Sequence, residues 1–450
     1  MLHGLQHRWY CIMVRWSDRL LKESPRVGSV RSATDLGWRI LLPSRLRQQA
    51  LDSVSSIARD LCAGDNPVSS GIESIWDHSL GYGSAGIALF FHYLHLSETD
   101  PGAANWRDRF MSASTRAVAR QRMPCDLYRG IAGVAWSWKH IHRNLSDEKT
   151  AAAWAEIDQT LQAWMQLRTT PAELFEGAGG LCLYLAESRG AQAEELLGLI
   201  LSKLERDAQR FPAGVAFLMS PAMRRHWVSN FGQEPTNVWK ISVAHGSVGC
   251  LGGLAAALTF DLCHERSVRL LKAGVEWVWS HQSNGLRAFP EMVGADLPSR
   301  TGGWCNGDLG IALVLCQIAR RLNRADWLDR SLAIARSEAA VRIDSVEENN
   351  RDNYCLCHGH AGRGHIFNRL YQFTGEDCFV EAAIYWFEQC LALRTSGAGI
   401  GGFQLQEGFG REPKSTRGFL MGASGLGLAL LAAATSVPPE WDRLLLASTS

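Results

Sequence analysis

Seven apolar segments recur along the chain, and each follows directly after a Gly-x-x-Gly turn. The segment after the last turn contains Leu426, Leu428, Leu430 and Leu431 and is apolar on nearly every side. This pattern is typical of a helix that is buried all round. The first glycines of the turns are spaced 47, 47, 69, 61, 52 and 63 residues apart, and they are Gly83, Gly130, Gly177, Gly246, Gly307, Gly359 and Gly422. A pattern that returns seven times in a common context indicates an internal repeat.

The segments between the turns have the pattern of amphipathic helices. In one of them, Trp327, Leu328, Leu332 and Ala335 form a single apolar stripe. Each repeat is therefore predicted to contain an outer amphipathic helix, a glycine turn and a buried inner helix. Seven such hairpins predict an all-α protein, an α/α toroid built as a double-layered ring of about fourteen helices, with an open helical solenoid as the alternative. Glycine in the turns would permit a positive φ and a close approach of neighbouring helix ends.

The N-terminal segment differs in charge from the repeats. Residues 1–45 contain eight Lys or Arg and three Asp or Glu. We predict a basic N-terminal arm over 1–45. Three interpretations of it are open: the arm is flexible, translation really begins at Met13, or the arm docks onto an acidic partner. Residues 46–450 are predicted to form the α/α toroid as one cyclase-like domain.

The overall composition limits the function classes. The chain of 450 residues has 46 Lys and Arg against 45 Asp and Glu, a formal net charge of +1. This balance argues against a dedicated nucleic-acid binder, which needs a basic face. The longest apolar stretch, 425–434, is far shorter than the ~20 residues of a transmembrane helix, and no export signal is evident. We therefore expect a cytoplasmic protein without a transmembrane segment, whose cysteines stay reduced.

Cysteine and histidine occupy matched positions in three consecutive turns. Cys305 and Cys357 lie two residues before the first glycine of their turns, and His358 and His245 lie one residue before it. Two thiolates and an imidazole suit Zn²⁺, and three protein ligands leave a fourth position open, as in catalytic zinc sites. The alternative is that the cysteines are small buried side chains. Cys355, which is two residues away from the matched position, is a competing ligand.

Three interpretations of His245 are open. It is a fourth ligand, a general acid or base, or a histidine that is merely hydrogen-bonded in a helix-end turn. Six further cysteines fall in or beside apolar helical stretches and are predicted to be core residues: Cys182, Cys250, Cys263, Cys316, Cys378 and Cys390.

The turn motifs resemble those of the lanthionine synthetase C-like cyclases. The motifs are Trp-Cys-Asn-Gly at 304–307, Cys-His-Gly at 357–359 and Ala-His-Gly at 244–246, together with the closing segment 418–425. The resemblance covers roughly residues 80 to 435. It implies an enzyme that forms thioether rings in a ribosomally made peptide. In that family, zinc binds a substrate cysteine thiol, which adds to dehydroalanine or dehydrobutyrine, and an acid protonates the resulting enolate.

The resemblance also implies roles for single residues. Cys305, Cys357 and His358 fall on the zinc ligands, and His245 falls on the histidine acid or base. Glu173 falls on a position that is usually Asp, and Glu176 is its rival.

Two further positions depart from the family pattern. Asn306 stands where the family has Tyr. Thr301 stands where it has Arg, while Arg300 is one step further back. These departures leave the zinc ligands unchanged and concern the positioning of the substrate.

The implied partners follow from the same resemblance. They are a dehydrated precursor peptide, a separate dehydratase, since the chain is too short for a fused one, and an exporter. Two rival functions share the same features. One is a thiol-activating zinc enzyme of another kind on an α/α toroid, and the other is a non-catalytic zinc protein that binds peptide or glutathione.

Overall fold

The protein is described here by a computed structural model. The residues described are 37–63, 75–121, 123–143, 148–167, 170–188, 191–221, 223–225, 228, 237–258, 263–283, 285, 287–294, 303–345, 353–406 and 412–448. Most of the predicted N-terminal arm, with Arg300 and Thr301, lies outside these residues. The domain boundary at residue 45 therefore stays a prediction.

Helices dominate the described chain. Fourteen α-helices in this part have defined bounds: α1 Ser44–Ala63, α2 Ser84–Leu96, α3 Ala103–Arg120, α4 Ile131–Ile141, α5 Glu148–Leu167, α6 Ala178–Ala186, α7 Ala191–Asp207, α8 Ser247–Ala256, α9 His264–Ser280, α10 Asp308–Arg321, α11 Ala325–Ala339, α12 His360–Thr374, α13 Asp377–Ala392 and α14 Ala423–Ala434. Short 3₁₀ helices lie at Ile75–His78, Ile343–Ser345 and Glu440–Leu445.

The helices alternate between an inner and an outer type, as the hydrophobic pattern predicts. The even-numbered helices are inner, and in α14 every residue is buried. The odd-numbered helices are outer and bury one face. In α1 that face consists of Leu46, Ala50, Ser53, Val54, Ile57, Ala58 and Leu61. Their spacing of three and four residues places them on one side of the helix.

Each inner helix begins at the residue after the first glycine of its turn. The backbone at six of these glycines is extended, with φ between −96° and −133°. Gly307, with φ of +113°, is the exception. The expectation of positive φ is thus wrong for six of the seven turns.

The expectation of close approach is confirmed at the second glycine. A Cβ on Gly249 would lie 1.7 Å from the carbonyl oxygen of Val243, and one on Gly133 would lie 1.7 Å from that of Leu127. The glycine and the carbonyl are six residues apart in both cases. The same approach recurs at Gly86, Gly310, Gly362 and Gly425. The turns need glycine because the preceding loop folds back onto the first turn of the helix.

The substitution Gly249→Ala should lower the free energy of unfolding by about 3 kcal/mol or more, because neither backbone segment can yield without moving the turn. Gly198→Ala is the matched control, since Gly198 lies within α7 and a Cβ there meets no atom within 4 Å. It should raise the free energy of unfolding by about 0.5–1 kcal/mol. Urea denaturation followed by circular dichroism measures both. Equal effects of the two substitutions would contradict the explanation by close approach.

The chain falls into two compact units. Unit 1 comprises Met1–Thr160 and Glu348–Trp441, and unit 2 comprises Leu161–Glu347 and Asp442–Ser450. In unit 1, α2 packs against α3, α4 and α14, and α14 also packs against α12 and α1. In unit 2, α8 packs against α6, α9 and α10. Inner helices of successive repeats are therefore neighbours within each unit, and in unit 1 the first repeat lies beside the last.

Two short antiparallel strand pairs were not anticipated from the sequence. Strands β1 Gln209–Phe211 and β2 Gly214–Ala216 form one pair, and β3 Trp239–Lys240 and β4 Met292–Val293 form the other. They lie between Gly177 and Gly307, in the repeat intervals of 69 and 61 residues. Among the described residues, no helix combines the length and the apolar composition needed to cross a lipid bilayer.

Candidate metal centre and proton-transfer pair

Backbone hydrogen bonds align the turns of unit 2. The N–H of Phe175 donates to the carbonyl oxygen of Ala244 at 3.1 Å, and the N–H groups of Ala244 and Val243 both donate to that of Cys305 at 3.1 Å. Phe175, Ala244 and Cys305 each lie two residues before the first glycine of their turn. Equivalent positions of successive turns are therefore joined by backbone hydrogen bonds, as expected if matched positions of the repeats lie side by side.

Unit 1 repeats this arrangement over four turns. The backbone N–H of Cys357 donates to the carbonyl oxygen of Leu420 at 3.1 Å, and the N–H of Leu420 donates to the carbonyl oxygen of Gly81 at 2.9 Å. The N–H of Gly81 in turn donates to the carbonyl oxygen of Tyr128 at 2.7 Å. All four residues again lie two positions before the first glycine. The turn that carries Cys357 and His358 is thus bonded to the last repeat, and the last repeat is bonded to the first.

Cys305, Cys357 and His358 come together as a possible metal-binding group. Their ligand atoms all lie within 4.8 Å of one another. Cys305 is nine-tenths buried, and Cys357 and His358 are partly exposed. Two sulfur donors and one imidazole nitrogen form a donor set that suits zinc better than magnesium or calcium, which prefer oxygen. The group therefore fits the metal that the sequence predicts.

Cys355 is placed differently from its neighbour Cys357. Its side chain is fully buried, and its Sγ lies 3.8 Å from the Sδ of Met421. It does not belong to the group of three. This placement favours Cys357 over Cys355 as the ligand.

His245 and Glu173 form a hydrogen-bonded pair in unit 2. The Nδ1 of His245 lies 2.7 Å from Oε2 of Glu173. The Glu173 side chain is 4% exposed, whereas that of His245 is 24% exposed. The backbone N–H of Glu176 donates to the other carboxylate oxygen at 3.1 Å, and the ring of Phe175 lies 5.0 Å from the imidazole. Glu173, rather than Glu176, is the carboxylate that contacts His245.

The sequence matches the family described as "Lanthionine synthetase C-like protein" over residues 74–446. The chain belongs to this family. Thirteen chains of solved structures also resemble it, and one is nisin cyclase. That likeness has a TM-score of 0.68 at 18% identity and covers 90% of this chain and 98% of the other. No curated protein sequence matches it significantly. The predicted family and the predicted fold class, an α/α toroid, are both confirmed.

One of the departures from the family pattern can be located in the structure. The Oδ1 of Asn306, one residue after Cys305, is buried and accepts no hydrogen bond from the described residues. The position keeps a polar group beside the candidate metal ligand although the family's Tyr is missing.

The remaining cysteines were predicted to be core residues. Cys182, Cys250, Cys263, Cys316 and Cys390 are buried, whereas Cys378 is partly exposed, so the prediction is wrong for Cys378. Burial raises the pKa of the Cys250 thiol well above its ordinary value, and nearby Cys182 and Glu173 add to this shift. The Cys250 thiol is therefore expected to stay protonated at neutral pH.

Asp308 is a supporting residue that the sequence argument missed. Its carboxylate accepts hydrogen bonds from the N–H groups of Ala288 at 2.7 Å and Phe289 at 3.1 Å. Burial raises the pKa of Asp308, and these two hydrogen bonds oppose that shift. Because Asp308 follows Cys305 by three residues, the contacts fasten the Cys305 turn to the preceding loop. A carboxylate at the first position of a predicted helix was the available signal.

Proposed function

We propose that this protein is a zinc-dependent lanthipeptide cyclase. It would join cysteine thiols of a peptide to dehydroalanine or dehydrobutyrine residues and so form thioether (lanthionine) rings. Membership of the lanthionine synthetase C-like family and the fold of nisin cyclase support this proposal. The observation that carries it is the group of Cys305, Cys357 and His358, whose turn at Cys305 is bonded to that of His245.

Cys305, Cys357 and His358 would hold the zinc ion. Bound there, zinc would lower the pKa of a substrate thiol and so favour the nucleophilic thiolate at neutral pH. The two cysteines would be thiolates and the histidine a neutral imidazole when they serve as ligands. Fixing the sulfur against the dehydrated residue would also contribute orientation.

His245 would act as the acid or base that transfers a proton during the addition. As the thiolate sulfur bonds to the β-carbon of the dehydrated residue, the alkene electrons move onto the α-carbon and carbonyl oxygen as an enolate. A proton must then reach the α-carbon. A carboxylate at Glu173 is only an acceptor, so its hydrogen bond keeps a proton on Nδ1 of His245 and leaves Nε2 free to accept the proton that the substrate thiol loses. The resulting imidazolium would return that proton from Nε2 to the α-carbon, so the addition consumes and releases no net proton. Glu173 thus acts through His245 by orienting it.

The substrate class follows from this reaction. Dehydroalanine and dehydrobutyrine arise by loss of water from Ser and Thr, so a separate dehydratase would act on the precursor peptide first. An exporter would act on the cyclised product.

Loss of free thiols is the measurement that tests the proposed function. The protein with zinc is incubated with a dehydrated peptide that contains cysteine, and the remaining thiols are alkylated and counted by mass spectrometry. Ring formation leaves the peptide mass unchanged and removes one alkylatable thiol for each ring. Peptide binding without any loss of thiols beyond the uncatalysed rate would favour the non-catalytic alternative.

A further inference from the structure

Unit 2 contains a cavity of about 550 Å³ whose lining includes neither the candidate zinc ligands nor the pair of His245 and Glu173. Its walls come from described residues that follow α9, from the first residue of α10, and from the second half of α11 and the residues after it. The first residue of α10 is Asp308, which lies three residues after Cys305, so the cavity adjoins the turn of this candidate ligand. Ligand sites commonly have volumes of roughly 300–1,000 Å³.

Three charged side chains line the cavity, and all three are largely buried. Nη1 of Arg287 lies 3.1 Å from Oε1 of Glu338, and these side chains are 13% and 7% exposed. The carboxylate of Asp308 accepts the backbone N–H groups of Ala288 and Phe289. The other described lining residues are uncharged. One positive and two negative groups therefore line the same space.

Arg287 has one donor without an acceptor. Its Nε is buried and donates no hydrogen bond to a described residue. A buried polar group in this state costs about 1–3 kcal/mol, so it indicates an acceptor that a ligand supplies. The hydroxyl groups of Ser283 and Ser337, also on the wall, donate to the carbonyl oxygens of Arg287 at 2.8 Å and Ala333 at 3.2 Å. Because their protons are used in this way, they present lone pairs to a ligand, which should therefore carry both an acceptor and N–H donors.

A neutral amide has this combination of groups. An anion would lie beside the two carboxylates of Asp308 and Glu338 with one guanidinium to balance them. An ammonium group would be repelled by Arg287 and has no lone pair to accept its Nε–H. An amide supplies a carbonyl oxygen and an N–H group and carries no charge. The apolar side chains of Ile334 and Val341 complete the wall and suit the apolar parts of such a ligand.

We propose that this cavity binds main-chain amides of the dehydrated peptide outside the residues that react, a role that rests on the proposed function. Nε of Arg287 would donate to a main-chain carbonyl oxygen, and main-chain N–H groups would donate to the oxygens of Ser283 and Ser337. The site would add affinity without touching the reacting thiol or the dehydrated residue. Such uniform binding lowers KM and leaves kcat unchanged.

The test uses the whole protein loaded with zinc and a fluorescently labelled dehydrated peptide in which alanine replaces every cysteine. This peptide cannot cyclise, so its fluorescence anisotropy reports binding alone. Arg287→Lys keeps a cation opposite Glu338 and removes the Nε–H group, and it should raise Kd about ten-fold. KM for the cysteine-containing peptide should rise similarly, with little change in kcat.

A second variant fills the cavity and leaves its charged groups in place. Ala333 lines the cavity on the exposed side of α11, so Ala333→Trp should raise Kd about ten-fold or more. Ala325→Trp is the matched control, because Ala325 is also an exposed alanine of α11 but does not line the cavity. It should bind the peptide like wild type.

An unchanged Kd in either Arg287→Lys or Ala333→Trp overturns the proposal, and so does an equal rise in Ala325→Trp. Weaker binding that is accompanied by loss of zinc or a lower thermal midpoint also overturns it, because the effect is then structural. Absence of peptide binding by wild type has the same consequence. If wild type binds the peptide but forms no rings, the proposed function fails, while the comparison of Kd values still decides the role of the cavity.

Discussion

Replacing Cys357 with alanine is expected to reduce bound zinc from about one ion per chain to near zero. The candidate site has three protein ligands, and two of them are cysteines. Loss of one thiolate leaves one sulfur and one nitrogen, which cannot retain the ion against a chelator. The cyclisation rate should fall about a thousand-fold or more, because the substrate thiol is then no longer activated. Metal analysis after dialysis against a chelator and the thiol-alkylation assay measure the two effects.

Cys355→Ala is the matched control for this experiment. Cys355 is two residues away in the sequence, but its Sγ contacts Met421 and is not part of the group. This variant should keep about one zinc per chain and most of the activity. Cys305→Ala should behave like Cys357→Ala. Retention of zinc by Cys357→Ala, or its loss from Cys355→Ala, would show that the ligands are assigned wrongly.

The helical repeat was predictable because its signal is local and occurs seven times. A Cβ on the second glycine of a turn would overlap a carbonyl oxygen six residues earlier, as one on Gly249 would lie 1.7 Å from that of Val243. Another residue is therefore costly at this position, and the requirement for glycine is visible in the sequence. Of the two reasons expected for glycine in the turns, only the close approach of the backbone is confirmed. Positive φ is not, since φ at Gly246 is −129°. The short strands at 209–216 depend on pairing with each other and left no clear alternation in the sequence.

The candidate metal group was predictable for a related reason. Cys305 and Cys357 occupy the same position in two turns, and the backbone hydrogen bonds within each unit show that this position is structurally equivalent. In the second turn, the hydrogen bonds of the Arg129 side chain to the buried Asp126 were not predicted, although Asp126 precedes Arg129 by only three residues. Carboxylates before a helix are common, and no pattern in the sequence distinguishes the ones that fix a neighbouring side chain from the ones that face solvent. The hydrogen bond of Glu173 to His245 joins residues 72 positions apart, and only the fold brings them together.

The substitution His245→Ala is expected to leave about one zinc per chain and to lower the cyclisation rate by about a hundred-fold to ten-thousand-fold. His245 is not part of the group of Cys305, Cys357 and His358, so the ion should stay. Without the imidazole, the proton must come from water, and the enolate reverts to the thiolate and alkene more often than it is trapped. Binding of a dehydrated peptide in which alanine replaces every cysteine should be unchanged, since the loss concerns a proton in the reaction and not the peptide main chain.

Glu173→Gln is the variant that separates proton transfer from orientation. Glutamine keeps the size of the side chain and one oxygen beside Nδ1 of His245, but its amide can equally donate and then stabilise the wrong tautomer. The rate should fall less than in His245→Ala, by about ten-fold to a hundred-fold. Added imidazole should partly restore the rate of His245→Ala, because that position is partly exposed, and should not restore that of Glu173→Gln. Loss of zinc from His245→Ala would instead make His245 a ligand, and an unchanged rate would assign the proton to another group.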